Sequence, residues 1–213
     1  MIGDPSDQRF TAAQKQAEIE KAQEAFVLDT RCLKDVASSS IVAGTYEYNL
    51  PSDIFIPLRV AHEGIKLESI SAYELDLLFN SDWTDDEGTP TRYFIDLDPN
   101  NKKIRLFPIP QAGDVGTNNL TLEYVKIPPT LSADASVPLD GHTLLTPYHD
   151  AIAYLAAASL LNIQPDQQAL VMIGQYEKKY MALVDKCIEM FRGMGEQRPI
   201  NLYRGRNPSN LGR

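Results

Sequence analysis

At 213 residues, with a net charge of -9 and a pI near 4.8, the chain has the size of one domain with its own core. The acidic balance argues against a protein that grips DNA through its phosphates, and 43% hydrophobic with 23% charged residues argues against disorder. Two cysteines, Cys32 and Cys187, exclude a disulfide framework and a zinc ligand set.

The opening MIGDPSDQRF has no basic start followed by an apolar core, so it does not read as a signal peptide. No apolar run nears the ~20 residues that span a bilayer. A reducing cytoplasm is the expected place of synthesis. Thr11 with Gln14 has capping-box spacing, and Ile19, Ala22, Phe26 and Leu33 recur on one helical face. The helix is expected to end near Asp35 or Val36, before a loop at Ser38-Ser39-Ser40.

The period then changes to two. TYEYNL (45–50) and FIPLRV (55–60) read as strands, and Gly64 marks a turn into Ile65-Lys66-Leu67. Ser71 and Glu74 cap a short helix, SAYELDLLF. In EGTPTRYFIDLDPNNKKIRLFPIP (87–110), Tyr93, Ile95 and Leu97 share one strand face and can meet Ile104 and Leu106. Asp98-Pro99-Asn100-Asn101 supplies turn chemistry, and Pro108 and Pro110 end the second strand. LTLEYV (120–125) is the last expected strand.

After Pro128-Pro129 a polar connection runs to about Gly141. Leu145, Tyr148, Ile152, Leu155 and Ser159 then lie on one helical face. Asp166 is a suitable N-cap for a second helix carrying Ala169, Ile173, Tyr176, Tyr180, Leu183, Cys187 and Met190. The short connection implies an antiparallel hairpin. The order predicts an α+β fold: an antiparallel helical bundle, built from the N-terminal helix and a C-terminal helical hairpin, with an inserted small antiparallel β subdomain. Residues 1–191 form one domain in this reading, with the β-rich insertion at about 44–127. Residues 192–213 form an extended basic tail.

Catalytic signatures are missing where they would be expected. His62, His142 and His149 form no HExxH pair, and neither a phosphate-binding glycine loop nor a GxSxG elbow occurs. His149-Asp150 has the residue types of a base with an orienting carboxylate, but it reads as a polar pair on a solvated helix face. Asp96, Asp98 and Asn100 open like a calcium loop. The Gly and Glu that such a loop requires are replaced by Asn101 and Phe107, so a plain turn is the better reading. Cys32, Cys187, Tyr176 and Tyr180 read as core. No cofactor, metal or catalytic residue is expected.

Charge is distributed unevenly. Residues 1–191 hold 15 basic and 28 acidic side chains, whereas 192–213 hold five arginines against Glu196 alone. So apolar-poor a tail does not fold alone, but arginine forks can order it against an acidic partner. Arg192, Arg198, Tyr203, Arg204, Arg206 and Arg213 are therefore the candidate partner-binding residues, since Arg and aromatic side chains dominate interface hot spots.

The succession of pieces carries more than any one of them. A capped helix leads to TYEYNLP, then FIPLRV with HEGIKLESISAYEL, Trp83 and the EGTP turn with Arg92-Tyr93-Phe94. FPIP, LTLEYVKIPPTL and TPYHDAIAYLAAASLL follow. This series, from about residue 10 to 191, resembles the head-to-tail adaptor (connector) proteins of tailed bacteriophages. The opening before Thr11 and the loop Gln111 to Asn119 have no counterpart in it. The resemblance implies a virion structural protein, not an enzyme, present as a ring usually of twelve copies beneath the portal protein. Such a ring extends the DNA channel without sequence-specific DNA binding and docks the tail or nozzle, and the C-terminal extension commonly reaches along the portal. The chain would be made in the bacterial host cytoplasm and end at the head–tail junction. The alternative is another neck or assembly factor, acting as a helical interaction module without a ring.

Overall fold

The computed structural model describes residues 9–98, 101–131, 136–163, 165 and 167–193. It is a mixed α+β fold with helices α1 (Ala12–Thr30), α2 (Ala72–Phe79), α3 (His149–Ile163) and α4 (Gln167–Gly193) and two four-stranded sheets. The chain divides into two compact units, residues 23–141 and residues 1–22 with 142–213.

The expected capping box opens α1. The Gln14 N–H donates to Thr11 Oγ1 at 3.2 Å, and the Thr11 N–H donates to Gln14 Oε1 at 2.9 Å. The helix stops at Thr30, earlier than its periodicity suggests. Arg31 takes φ 53°, and its N–H closes on Val27 O at 2.7 Å, an αL stop that turns the chain out. Lys34–Ile41 is then strand β1, so the run of serines expected to form a loop lies inside a sheet. Its eight residues carry almost no apolar alternation, and pairing with strand β8 (Gly116–Lys126) decides their conformation.

β2 (Glu47–Asn49), β3 (Ile54–His62), β4 (Ile65–Lys66), β5 (Glu68–Ser69), β6 (Arg92–Asp98) and β7 (Asn101–Phe107) complete the sheets. The first sheet has the order β1-β8-β3-β4 and the second β2-β7-β6-β5. Glu63 and Gly64, at φ 50° and 81°, make the two-residue turn between β3 and β4, where both positions need φ > 0. One expectation is corrected: β5 pairs parallel to β6, so the β part is not wholly antiparallel.

Between the sheets lies a core of Ile41, Tyr48, Leu50, Ile54, Val60, Leu67, Ile104, Leu106, Leu120, Leu122 and Tyr124. Tyr93 and Ile95 pack against it, opposite Leu106 and Ile104 as their spacing predicts, while the Leu97 side chain lies outside the described part, as do Pro99 and Asn100. The other face of the β6–β7 hairpin is covered as well. Phe94 and Phe107 join Leu75 of α2 in a second core, with Ile70, Phe79 and Trp83 around it. α2 has its own capping box, Glu74 N–H to Ser71 Oγ at 3.1 Å and Ser71 N–H to Glu74 Oε2 at 2.8 Å.

In the other unit α3 and α4 pack as the expected helical hairpin. Ala151, Ile152, Ala156, Ala158, Leu160 and Leu161 are buried on α3, and Ala169, Tyr180, Val184, Cys187 and Ile188 on α4. Asp166 lies outside the described residues. The bundle expectation is met only in part. The hairpin is present, but α1 does not belong wholly to it, because the boundary between the units falls within that helix after Ala22.

Candidate functional site

The expected partner-binding residues begin where α4 ends. Arg192 stands exposed in its last turn, where the negative end of the helix dipole favours a cation. Arg198, Tyr203, Arg204, Arg206 and Arg213 lie outside the described residues. Upstream on the same hairpin, Tyr154 and Tyr176 stack with centroids 5.8 Å apart, and Lys179 Nζ sits 5.0 Å and 5.9 Å from the two rings. Tyr180 is buried. These tyrosines hold helix to helix, and an ammonium over their faces adds a cation–π contact.

The histidines are dispersed in role. His149, at the start of α3, has its Nε2 buried without a hydrogen-bond partner among the described residues. A general base must reach the proton it takes, and this nitrogen is not presented to a substrate. His142 is exposed, and its carbonyl accepts the Leu145 N–H. His62 is buried at the end of β3, with Nε2 3.3 Å from Asn119 Nδ2. Asn119 also accepts the Ile41 N–H and donates to the Asp114 carbonyl, so this cluster ties the ends of β1 and β3 and the turn at Asp114 to β8. Cys32 and Cys187 are both buried, as expected of core thiols.

The outer face of the second sheet carries a charged ladder. Arg105 Nε donates to Glu47 Oε2 at 3.0 Å, its Nη2 lies 3.8 Å from Asp96 Oδ2, and its guanidinium stands 5.5 Å from the Phe94 ring centroid. Lys103 bonds Asn49 and lies 3.4 Å from Glu47. The Arg105 hydrogen bond, helped by Lys103, holds the Glu47 carboxyl below the usual carboxylate range. A groove of about 450 Å³ opens beside this ladder, lined by Pro57, Ile70, Ser71, Phe94, Asp96 and Arg105 among others. Its two charged groups, Asp96 and Arg105, already face each other across the sheet. A second groove, about 260 Å³, is lined by Ser38, Asn49, Leu50, Ile104, Leu120 and Leu122 among others, and offers no ionisable lining group.

What spacing did not single out is the outward face of α2. Tyr73 and Leu77, one turn apart, are 74% and 70% exposed, and Leu78 is 62% exposed. Only Leu75 of this helix is buried. The signal was present in AYELDLLF, which has more large apolar residues than the single face meeting the sheet can bury.

Helical hairpin, two-sided sheet and paired charges make a set of surfaces, with no described cluster of nucleophile, base and orienting group. Residues 2–198 match the family model of the SU10 adaptor protein. The chain belongs to that family. It is a family of bacteriophage adaptor proteins, in agreement with the resemblance read from the order of the motifs. No curated protein matches the chain. The family is one of structural adaptor proteins. No helix among the described residues is long and apolar enough to cross a membrane.

Proposed function

We propose that this chain is a head-to-tail adaptor of the virion, assembling as a ring of twelve copies under the portal, extending the DNA channel and docking the tail or nozzle. Membership of the adaptor family over residues 2–198 carries the reading. Residues 192–213, with five arginines against one glutamate, act as a basic arm that binds the portal through Arg192, Arg198, Tyr203, Arg204, Arg206 and Arg213. DNA passes through the lumen without sequence-specific contact, since the body up to residue 191 is strongly acidic. The chain is made in the host cytoplasm and works at the head–tail junction.

Mass photometry of the portal ring from the same genome, mixed with full-length protein or with a chain ending at Phe191, tests this. Several copies should add to each portal, and truncation should remove them. A gain that survives truncation moves the contact to the helices. No gain at all favours a neck or assembly factor that forms no ring.

A further inference from the structure

The apolar face of α2 is costly to leave in water. Tyr73, Leu77 and Leu78 project from a helix whose only buried residue is Leu75, so most of their apolar surface is left in water. Glu74 lies among them, and exposed Asp85, Asp86 and Glu87 follow the helix. Residues 63–87 hold eight acidic side chains against Lys66 alone, a net of -7 within 25 residues. A fitting occupant must therefore be basic, with a few large apolar side chains of its own.

One such segment is in this chain. Residues 194–213 contain Ile200, Leu202 and Tyr203 flanked by Arg198, Arg204 and Arg206. At 20 residues the segment is long enough to cross an eight-residue helix of about 12 Å several times over if extended. Complementary charge sets register and partner choice, while the apolar anchors supply most of the affinity.

We propose that the outward face of α2 is the docking surface for residues 194–213 of a neighbouring copy, with Leu77 and Tyr73 receiving Leu202 and Tyr203 and the acidic flanks receiving the arginines. The inference requires two copies but neither a closed ring nor a portal. A portal that binds the same arm competes with α2 for it.

Photo-cross-linking of the full chain tests the pairing. Benzoylphenylalanine replaces Tyr73, and ¹⁴N- and ¹⁵N-labelled protein are mixed before irradiation. Cross-linked peptides should contain residues 194–213 and combine the two isotopes. Arg204→Glu with Arg206→Glu should cut their yield about fivefold, as expected for losing two exposed ion pairs. Capture of any other segment, cross-links of uniform isotope alone, or unchanged yield in the double variant would overturn the proposal. Mixed-isotope capture by protein that adds no copies to the portal would leave it standing and remove the ring. Portal-bound rings without arm capture would do the reverse.

Discussion

Gln23 and Leu139 are joined across 116 residues of sequence: the Leu139 N–H donates to Gln23 Oε1 at 2.8 Å, and Gln23 Nε2 donates to Pro129 O at 2.9 Å. Gln23 is 1% exposed, and Leu139 stands at φ 57°. One buried amide thus fixes both ends of the connection that leads out of the sheets. Replacing it by Leu leaves the buried Leu139 N–H unpaired and frees the carbonyl of the exposed Pro129 to turn to water, which costs about 1–3 kcal/mol. Urea unfolding of Gln23→Leu should show the midpoint falling while the slope is kept. A midpoint within error of the parent would mean that the connection is not held there.

The ladder on the second sheet gives stability a pH dependence. Glu47 has its carboxyl lowered by Arg105 from the ordinary 4.5. A depressed folded value means that its contribution is present above 4.5 and is lost as pH falls through the folded value. Glu47→Gln should therefore melt below the parent at pH 7, and the gap should narrow as pH falls below 4.5. A constant gap across that range would assign the effect to packing instead.

Tyr124 behaves in the opposite sense at high pH. Burial first, then the hydrogen bond to Asp53 Oδ1 at 3.1 Å, pushes its hydroxyl from 10.0 up to about 12. Its raised folded value gives stability below pH 10 that disappears as pH rises through 12. Burial also raises the Tyr48 and Tyr148 hydroxyls, but in a titration followed at the phenolate absorbance the last tyrosine to ionise should be Tyr124. That late step should be missing from Tyr124→Phe.

Two glycines separate close approach from open space. A Cβ at Gly116 would lie 2.6 Å from Asn119 Nδ2 and 2.9 Å from its Cγ, whereas one at Gly113 meets nothing within 4 Å. The Asn119 side chain cannot yield cheaply, because it is tied to Ile41 N–H and Asp114 O. Gly116→Ala should cost ~1–3 kcal/mol, the price of a broken buried hydrogen bond. Gly113→Ala should be close to neutral. Equal effects from the two would refute the contact.

Trp83 is the sole tryptophan, and it reports on α2. Its Nε1 donates to Asp76 Oδ1 at 2.6 Å, and its ring meets Phe94 and Phe107 edge-on at 5.7 Å and 6.4 Å. Phe107→Ala should red-shift its emission and cost about 3–5 kcal/mol. Unshifted emission would show that α2 keeps its seat without that ring.

Legibility followed the range of the interactions. Both capping boxes, the β6–β7 hairpin and the α3–α4 hairpin rest on contacts between near neighbours, and spacing found them all. β1 rests on partners about eighty residues away, Ser38 opposite Thr121, so its serines looked like a loop. The parallel β5–β6 pair involves only two residues of β5 and leaves no pattern. The arm's arginines were visible as composition, while the α2 face became visible only once the opposite side of that helix had been seen to fill the second core.

The hairpin with apolar cores on both faces has a consequence for substitution. In most antiparallel strands one face is free to change polarity, but here Tyr93, Ile95, Ile104 and Leu106 serve one core while Phe94 and Phe107 serve another. A one-residue slip would exchange the two sets and spoil both. A change of polarity on either face of β6 or β7 therefore opens one core or the other to water, whereas the outward residues of α2 support neither core.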